Sequence, residues 1–172
     1  MKLSTLKKEI HIVYENKLSS KEQTGIETII EQIKLEKSDL NFRGNYEENV
    51  VFWSNELQDV IDVYNKIKDF SIKKKIKYRV LLLAGTIVDL EENMTAYRFI
   101  GDYLRLPDGN SNAEAMSLRF MYDVDGVSVL VMLERAGEFE VGISVCDVMD
   151  KEMDFIKTYD RLVATIHKII NF

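Results

Sequence analysis

The sequence predicts an α+β fold in which N-terminal helices precede an antiparallel β-meander of three to five strands, covered by a C-terminal helix. Three observations predict it. Apolar residues recur at spacings of three and four near both ends of the chain, as a helix with one buried face requires. From Met116 to Val145 the period changes to two, as a strand with one buried face requires. Asp125-Gly126 and Ala136-Gly137 interrupt that alternation where a chain reversing on itself needs tight turns.

The elements follow in order. Leu3, Leu6, Ile10, Val13 and Tyr14 predict a first helix. In Ser19-Ser20-Lys21-Glu22-Gln23 the spacing predicts a capping box, with Ser20 bonding ahead and Gln23 reaching back. Ile26, Ile29, Ile30 and Ile33 then stripe a second helix ending near Lys37, so that 1–37 is helical. The polar stretch 38–49, with Gly44, reads as a loop. Val50, Trp53, Leu57, Val60, Ile61, Tyr64 and Ile67 predict a third helix over 45–71.

Residues 77–147 read as mainly β. Tyr78 to about Val88 is rich in aliphatic and β-branched side chains and predicts a strand. A short helix or a second strand follows up to Leu106, ended by Pro107-Asp108-Gly109-Asn110. Leu118, Phe120 and Tyr122, then Val127, Val129, Val131 and Leu133, then Phe139, Val141, Ile143 and Val145 are the inward positions of the three-stranded meander. Over 150–171 a last helix, capped by Asp150 or a neighbour, carries Met153, Ile156, Tyr159, Leu162, Ile166 and Ile169 on one face.

The bulk numbers bound the rest. A chain of 172 residues, 46% apolar and 30% charged, has the balance of one globular domain over 1–172. Its single cysteine, Cys146, permits no intrachain disulfide, which points to a reducing compartment. No apolar run approaches the roughly 20 residues of a membrane span, and the N-terminus has no signal-peptide core. A soluble, cytoplasmic protein with no membrane partner is the expectation. The net charge of −6 argues against nucleic acid as a partner, because phosphates require a positive face. Heavy use of Ile, Lys, Glu and Asn resembles the product of an A+T-rich bacterial or phage genome.

Motifs for chemistry are missing. Neither His11 nor His167 has a ligand partner one helical turn away, and the three Cys and His residues fall short of a zinc set. No phosphate-binding glycine pattern occurs. The sequence therefore implies no metal, no cofactor and no catalytic residue, and inclines away from an enzyme.

Two charged constellations remain. The meander topology brings Asp123, Asp125, Asp147 and Asp150 to one rim, with Glu134, Glu138 and Glu140 at the other, a surface suited to a basic partner. Turn and helix-cap preferences for Asp explain the same residues without function. Lys73, Lys74, Lys75 and Lys77, flanked by Lys66, Lys68 and Arg79, form a basic cluster suited to a phosphate or an acidic partner. A solvated helix end running into a lysine-guarded strand explains it without function, and local preferences favour that reading. The leading expectation is a non-enzymatic interaction module of a bacterial or phage accessory type, such as an immunity or anti-defence protein, binding a protein partner or itself. The alternative is a small-ligand sensor or enzyme with a pocket between sheet and helices, with Asp123, Asp147 and Glu140 as its carboxylates and Arg98, Arg105 or Arg119 as anion anchors.

Overall fold

The computed structural model of the chain describes residues 6–98, 117–124, 127–149 and 152–170. It is α+β, with antiparallel strand pairs and a C-terminal helix. The backbone forms two compact units: Lys7–Leu83 with Val148–Ile156, and Met1–Leu6 with Ala84–Asp147 and Lys157–Phe172. The strand Tyr78–Asp89 runs from one unit into the other.

The first unit contains, in chain order, β1 (Lys7–Tyr14), α1 (Ser20–Glu36), β2 (Asn41–Arg43), β3 (Asn49–Ser54), α2 (Leu57–Lys73) and the first half of β4 (Tyr78–Asp89). Its strands lie in the order β2-β3-β1-β4. β1 pairs antiparallel with β3, setting Ile10 opposite Phe52 and Glu9 opposite Trp53, and β3 pairs antiparallel with β2. The order β-α-β-β-α-β, with each βαβ unit split by a strand of the other, is the ferredoxin-like arrangement.

Alternation explains each strand. Ile10, Ile12 and Tyr14 of β1, Val50 and Phe52 of β3, and Tyr78, Val80 and Leu82 of β4 are buried, and they form the face that the helices cover. Ile26, Ile30 and Ile33 of α1, and Val60, Val63, Tyr64 and Ile67 of α2, bury the matching stripes. Gly25 sets the spacing of the two helices, since a Cβ there would lie 2.4 Å from Cζ of Phe70. Lys37, at the end of α1, donates to Asp59 at 2.7 Å and to Asp62 at 2.6 Å on α2. Gly44 turns the chain between β2 and β3 with φ 132°, in space that a Cβ would share with Asn49.

The second unit joins the rest of β4 to β5 (Ser117–Val124), β6 (Val127–Arg135) and β7 (Glu140–Met149), with order β4-β7-β6-β5. β5, β6 and β7 are the expected antiparallel meander. Val124 pairs with Val127, so only residues 125 and 126 separate the strands, as an Asp-Gly hairpin requires. Val129, Val131, Leu133, Ile143 and Val145 are buried, and so are Leu162, Ile166 and Ile169 of α3 (Phe155–Ile170). A helical turn over 94–98 follows β4, with Asn93 Oδ1 accepting from the Ala96 N–H.

Several expectations are corrected. Over its described part, the first predicted helix is strand β1. Its 3–4 spacing coexists with the alternation Ile10, Ile12, Tyr14, and pairing with β3 selects the latter. The helix predicted over 45–71 is strand β3 followed by α2, because Val50, Phe52 and Ser54 alternate inward before the helical period begins at Leu57. The loop read over 38–49 contains the short strand β2. The capping box sits one residue earlier, on Ser19 and Glu22, while Gln23 donates to the Leu18 carbonyl. Seven strands lie among the described residues, where a meander of three to five was expected. The proposed Asp150 cap lies outside the described residues; Asp154 Oδ1 accepts from the Ile156 N–H instead.

Candidate functional site

The C-terminus of α2 ends in a six-residue hydrogen-bonded loop. The Ile76 N–H donates to the Ser71 carbonyl at 2.8 Å and the Lys75 N–H to the Ile72 carbonyl at 3.1 Å. This is a Schellman motif, whose penultimate position takes a left-handed residue and favours glycine. Lys75 occupies it with φ 57°. A lysine is strained there by the contact of its Cβ with the backbone.

The turn lies against the loop that leaves β1. The Glu15 N–H donates to the Lys77 carbonyl at 3.0 Å, pinning the loop to the start of β4. The Leu18 N–H donates to the Glu47 carbonyl at 2.9 Å, pinning it to the β2–β3 hairpin. Between loop and turn is a cavity of about 200 Å³. Its charged lining residues are Lys17, Lys75, Lys77 and Glu22, with Asn16, Leu18 and Ile76 completing the wall. Glu22 is held by the α1 cap, its Oε1 accepting from the Ser19 N–H at 2.9 Å. Lys17 pairs with Glu47 at 3.1 Å, and the bond to that carboxylate raises the Lys17 pKa above the ordinary lysine value. Lys75 and Lys77 make no ion pair among the described residues, and both side chains are exposed.

The basic cluster thus divides. Lys75 and Lys77 line the cavity, whereas Lys73 and Lys74 are exposed at the helix end and do not. Lys66 pairs with Glu36 at 3.5 Å. Lys17 was absent from the expected cluster, because only folding brings it to Lys75. The clue in the sequence is its place immediately before the α1 cap, where a strand-to-helix loop meets the helix N-terminus.

Of the expected acidic rim, one side chain lies among the described residues, that of Asp147. Asp147 is 7% exposed and lies 3.5 Å from Arg161 of α3. Asp123 lies on β5 opposite Ser128, but its side chain, and Asp125 and Asp150 entirely, lie outside the described residues. Glu134, Glu138 and Glu140 are exposed about the β6–β7 turn. Of the anion anchors considered, Arg98 and Arg119 are exposed and Arg105 lies outside the described residues. Burial and the Asp147 charge push the Cys146 thiol up, the direction of a structural cysteine rather than of an activated nucleophile. His167 is exposed on the last turn of α3.

A second charged group was hidden by the helical reading of β1. Lys7, Glu9 and His11 share the sheet face opposite the helices, and Glu9 is only 6% exposed. Lys7 approaches its Oε1 at 3.2 Å, His11 its Oε2 at 3.0 Å, and Arg43 stands 3.7 Å away. Lys7 and Arg43 also lie over the ring of Trp53, at 4.6 and 5.6 Å from its centroid. Burial pushes the Glu9 carboxyl up, but the bond from His11 and the charge of Lys7 prevail and hold it below the ordinary value. Among the described residues, no three His, Cys, Asp or Glu side chains form a metal-binding group, and no helix is long and apolar enough to cross a membrane.

No family model and no curated protein matches the sequence. Solved structures with some similarity include one assigned as a glycine cleavage system transcriptional repressor. It is 6% identical, with coverage of 94% of this chain and 93% of that one, and a TM-score of 0.32. Another is the regulatory subunit of aspartate kinase from Thermus flavus, 8% identical, with coverage of 96% and 95% and a TM-score of 0.30. Similarity this slight says nothing about ligand or activity.

Proposed function

We propose that the chain is a small-ligand sensor whose first unit binds a multiply charged anion in the cavity lined by Lys17, Lys75 and Lys77. The observation that carries this reading is Lys75. It stands in a left-handed position that favours glycine, and it lines the cavity without an ion pair among the described residues, although the Glu22 carboxylate shares the wall. Backbone strain retained at such a place is a mark of function. A volume of about 200 Å³ is below the range of drug-sized sites, so the ligand is a small metabolite or inorganic anion. The wall offers three lysines, one amide and one carboxylate, that of Glu22, but no hydroxyl, thiol or imidazole, which suits binding rather than group transfer.

Asp147, the one residue of the acidic rim whose side chain is described, is buried beside Arg161 and so lends the interaction reading no support. The test is calorimetric titration of the whole protein with sulfate, repeated on Lys75→Gly. Loss of one charge-assisted contact is expected to weaken binding about tenfold. Equal affinity in both proteins would place the anion elsewhere, and absence of binding to the native chain would remove the reading altogether.

A further inference from the structure

We propose that the sheet face of the first unit opposite its helices binds single-stranded nucleic acid, with Trp53 and His11 as platforms for two bases. Strand pairing places them. On β1 the face presents Lys7, Glu9 and His11, and the register sets Trp53 of β3 opposite Glu9 and Val51 opposite His11. Trp53 and His11 are therefore diagonal neighbours on the two central strands, with backbones about 7–8 Å apart. Rings presented from the middle of a four-stranded sheet are an arrangement on which unpaired bases stack. Trp53 is half-buried, so its ring is set into the sheet with part of it open to solvent. The His11 ring is fixed by its contact with Glu9 at 3.0 Å.

Charge selects the occupant. Among the described residues, the strand positions of this face carry the cations Lys7, Arg43 and Arg79 against a single carboxylate, Glu9. Glu15 and Lys77, just beyond the strands, add one charge of each sign. The face is thus positive in a chain whose net charge is −6. That total opposes indiscriminate attraction, whereas a local positive face is what phosphates contact. A second copy fits poorly, since it would set two positive faces together. A duplex fits poorly too, because its grooves admit a helix or a two-stranded ribbon rather than four strands. Lys7 and Arg43 rest over the Trp53 ring, at 4.6 and 5.6 Å from its centroid. Both are exposed enough to turn toward phosphates, which leaves the ring to a base.

The chain has one tryptophan, so its fluorescence reports on this face. The full chain is titrated at low salt with a short oligothymidylate and, separately, with a hairpin duplex. Tryptophan emission is read with the unlabelled strand, and anisotropy with a fluorescein-labelled one. Binding of the single strand is expected to quench the emission, and log K to fall with log salt at a slope of about −2, for three phosphates. Arg79→Gln is expected to reduce that slope by about 0.7. Trp53→Leu is expected to weaken binding at least about fivefold. Arg79 is exposed, so Arg79→Gln keeps the test decisive if Trp53→Leu fails to fold. No anisotropy change with the native chain, binding without quenching, an unchanged slope in Arg79→Gln, or equal affinity for the duplex would each overturn the proposal. Emission that changes on dilution of a dimer, or that anionic vesicles quench and the oligonucleotide does not, would assign the face to a second copy or to a membrane instead.

Discussion

Lys75 and Glu9 show how single residues depart from what the fold alone would select. A lysine at the left-handed position of a Schellman motif carries a steric penalty of about 1 kcal/mol that glycine escapes. Lys75→Gly is therefore expected to raise stability by about that amount in urea unfolding, while it weakens sulfate binding. A variant that lost both stability and binding would show the lysine to be a structural part of the turn. Glu9 has the opposite character, a charge held where water is scarce. Its folded pKa lies below the unfolded value, so its contribution is fully present above about pH 5 and is lost as pH falls through the folded pKa. Native protein and Glu9→Gln are expected to converge in stability as the solution is acidified below about pH 4, and to differ most near neutrality. Parallel stability curves across that range would contradict the ion-pair assignment.

At the scale of the elements, the first unit depends on how closely α1 approaches α2. Glycine in the middle of a helix ordinarily costs about 0.5–1 kcal/mol relative to alanine. At Gly25 that gain is unavailable, because the added Cβ would meet the ring of Phe70. Gly25→Ala is expected to destabilise the protein by about 1 kcal/mol. Combining it with Phe70→Leu is expected to recover stability relative to Gly25→Ala alone, as a thermal melt would read. A Gly25→Ala protein more stable than the native one would mean that the ring moves aside freely. The same elements show why sequence reading succeeded in one place and failed in another. β5, β6 and β7 are joined by short turns, so their period, their turn residues and their pairing are all local. The partner of β1 is β3, beyond a whole helix, and neither its pairing nor its register is written near residues 7–14.

At the scale of the whole molecule, stability comes from two apolar interiors. In the second unit, Ile166 of α3 is completely buried. Ile166→Ala removes methyl groups and leaves a cavity, for an expected loss of about 2–5 kcal/mol in urea unfolding. Its neighbour His167 is exposed, and His167→Ala is expected to change stability by less than about 0.5 kcal/mol. Equal effects would mean that the helix is turned differently from the arrangement described. The candidate site was legible only in part at this scale. Lys75 and Lys77 stand out in the sequence as a basic run, but Lys73 and Lys74 beside them look the same, and only the end of α2 separates cavity-lining from solvated side chains.

The sequence by itself determined what depends on neighbours along the chain: the α+β class, the meander with its Asp-Gly turn, strand β4, and the isoleucine-striped helices α1 and α3. Each is encoded in a periodicity or a turn residue within a few positions. Tertiary structure alone decided that Ile10 and Ile12 lie on a strand, that Glu9 is buried beside Lys7, His11 and Arg43, and that Lys17 and Lys75 line one cavity. The physical reason is the same in each case. Hydrogen bonds and charges between distant segments carry the decisive free energy, and a local pattern that fits two periods cannot express them.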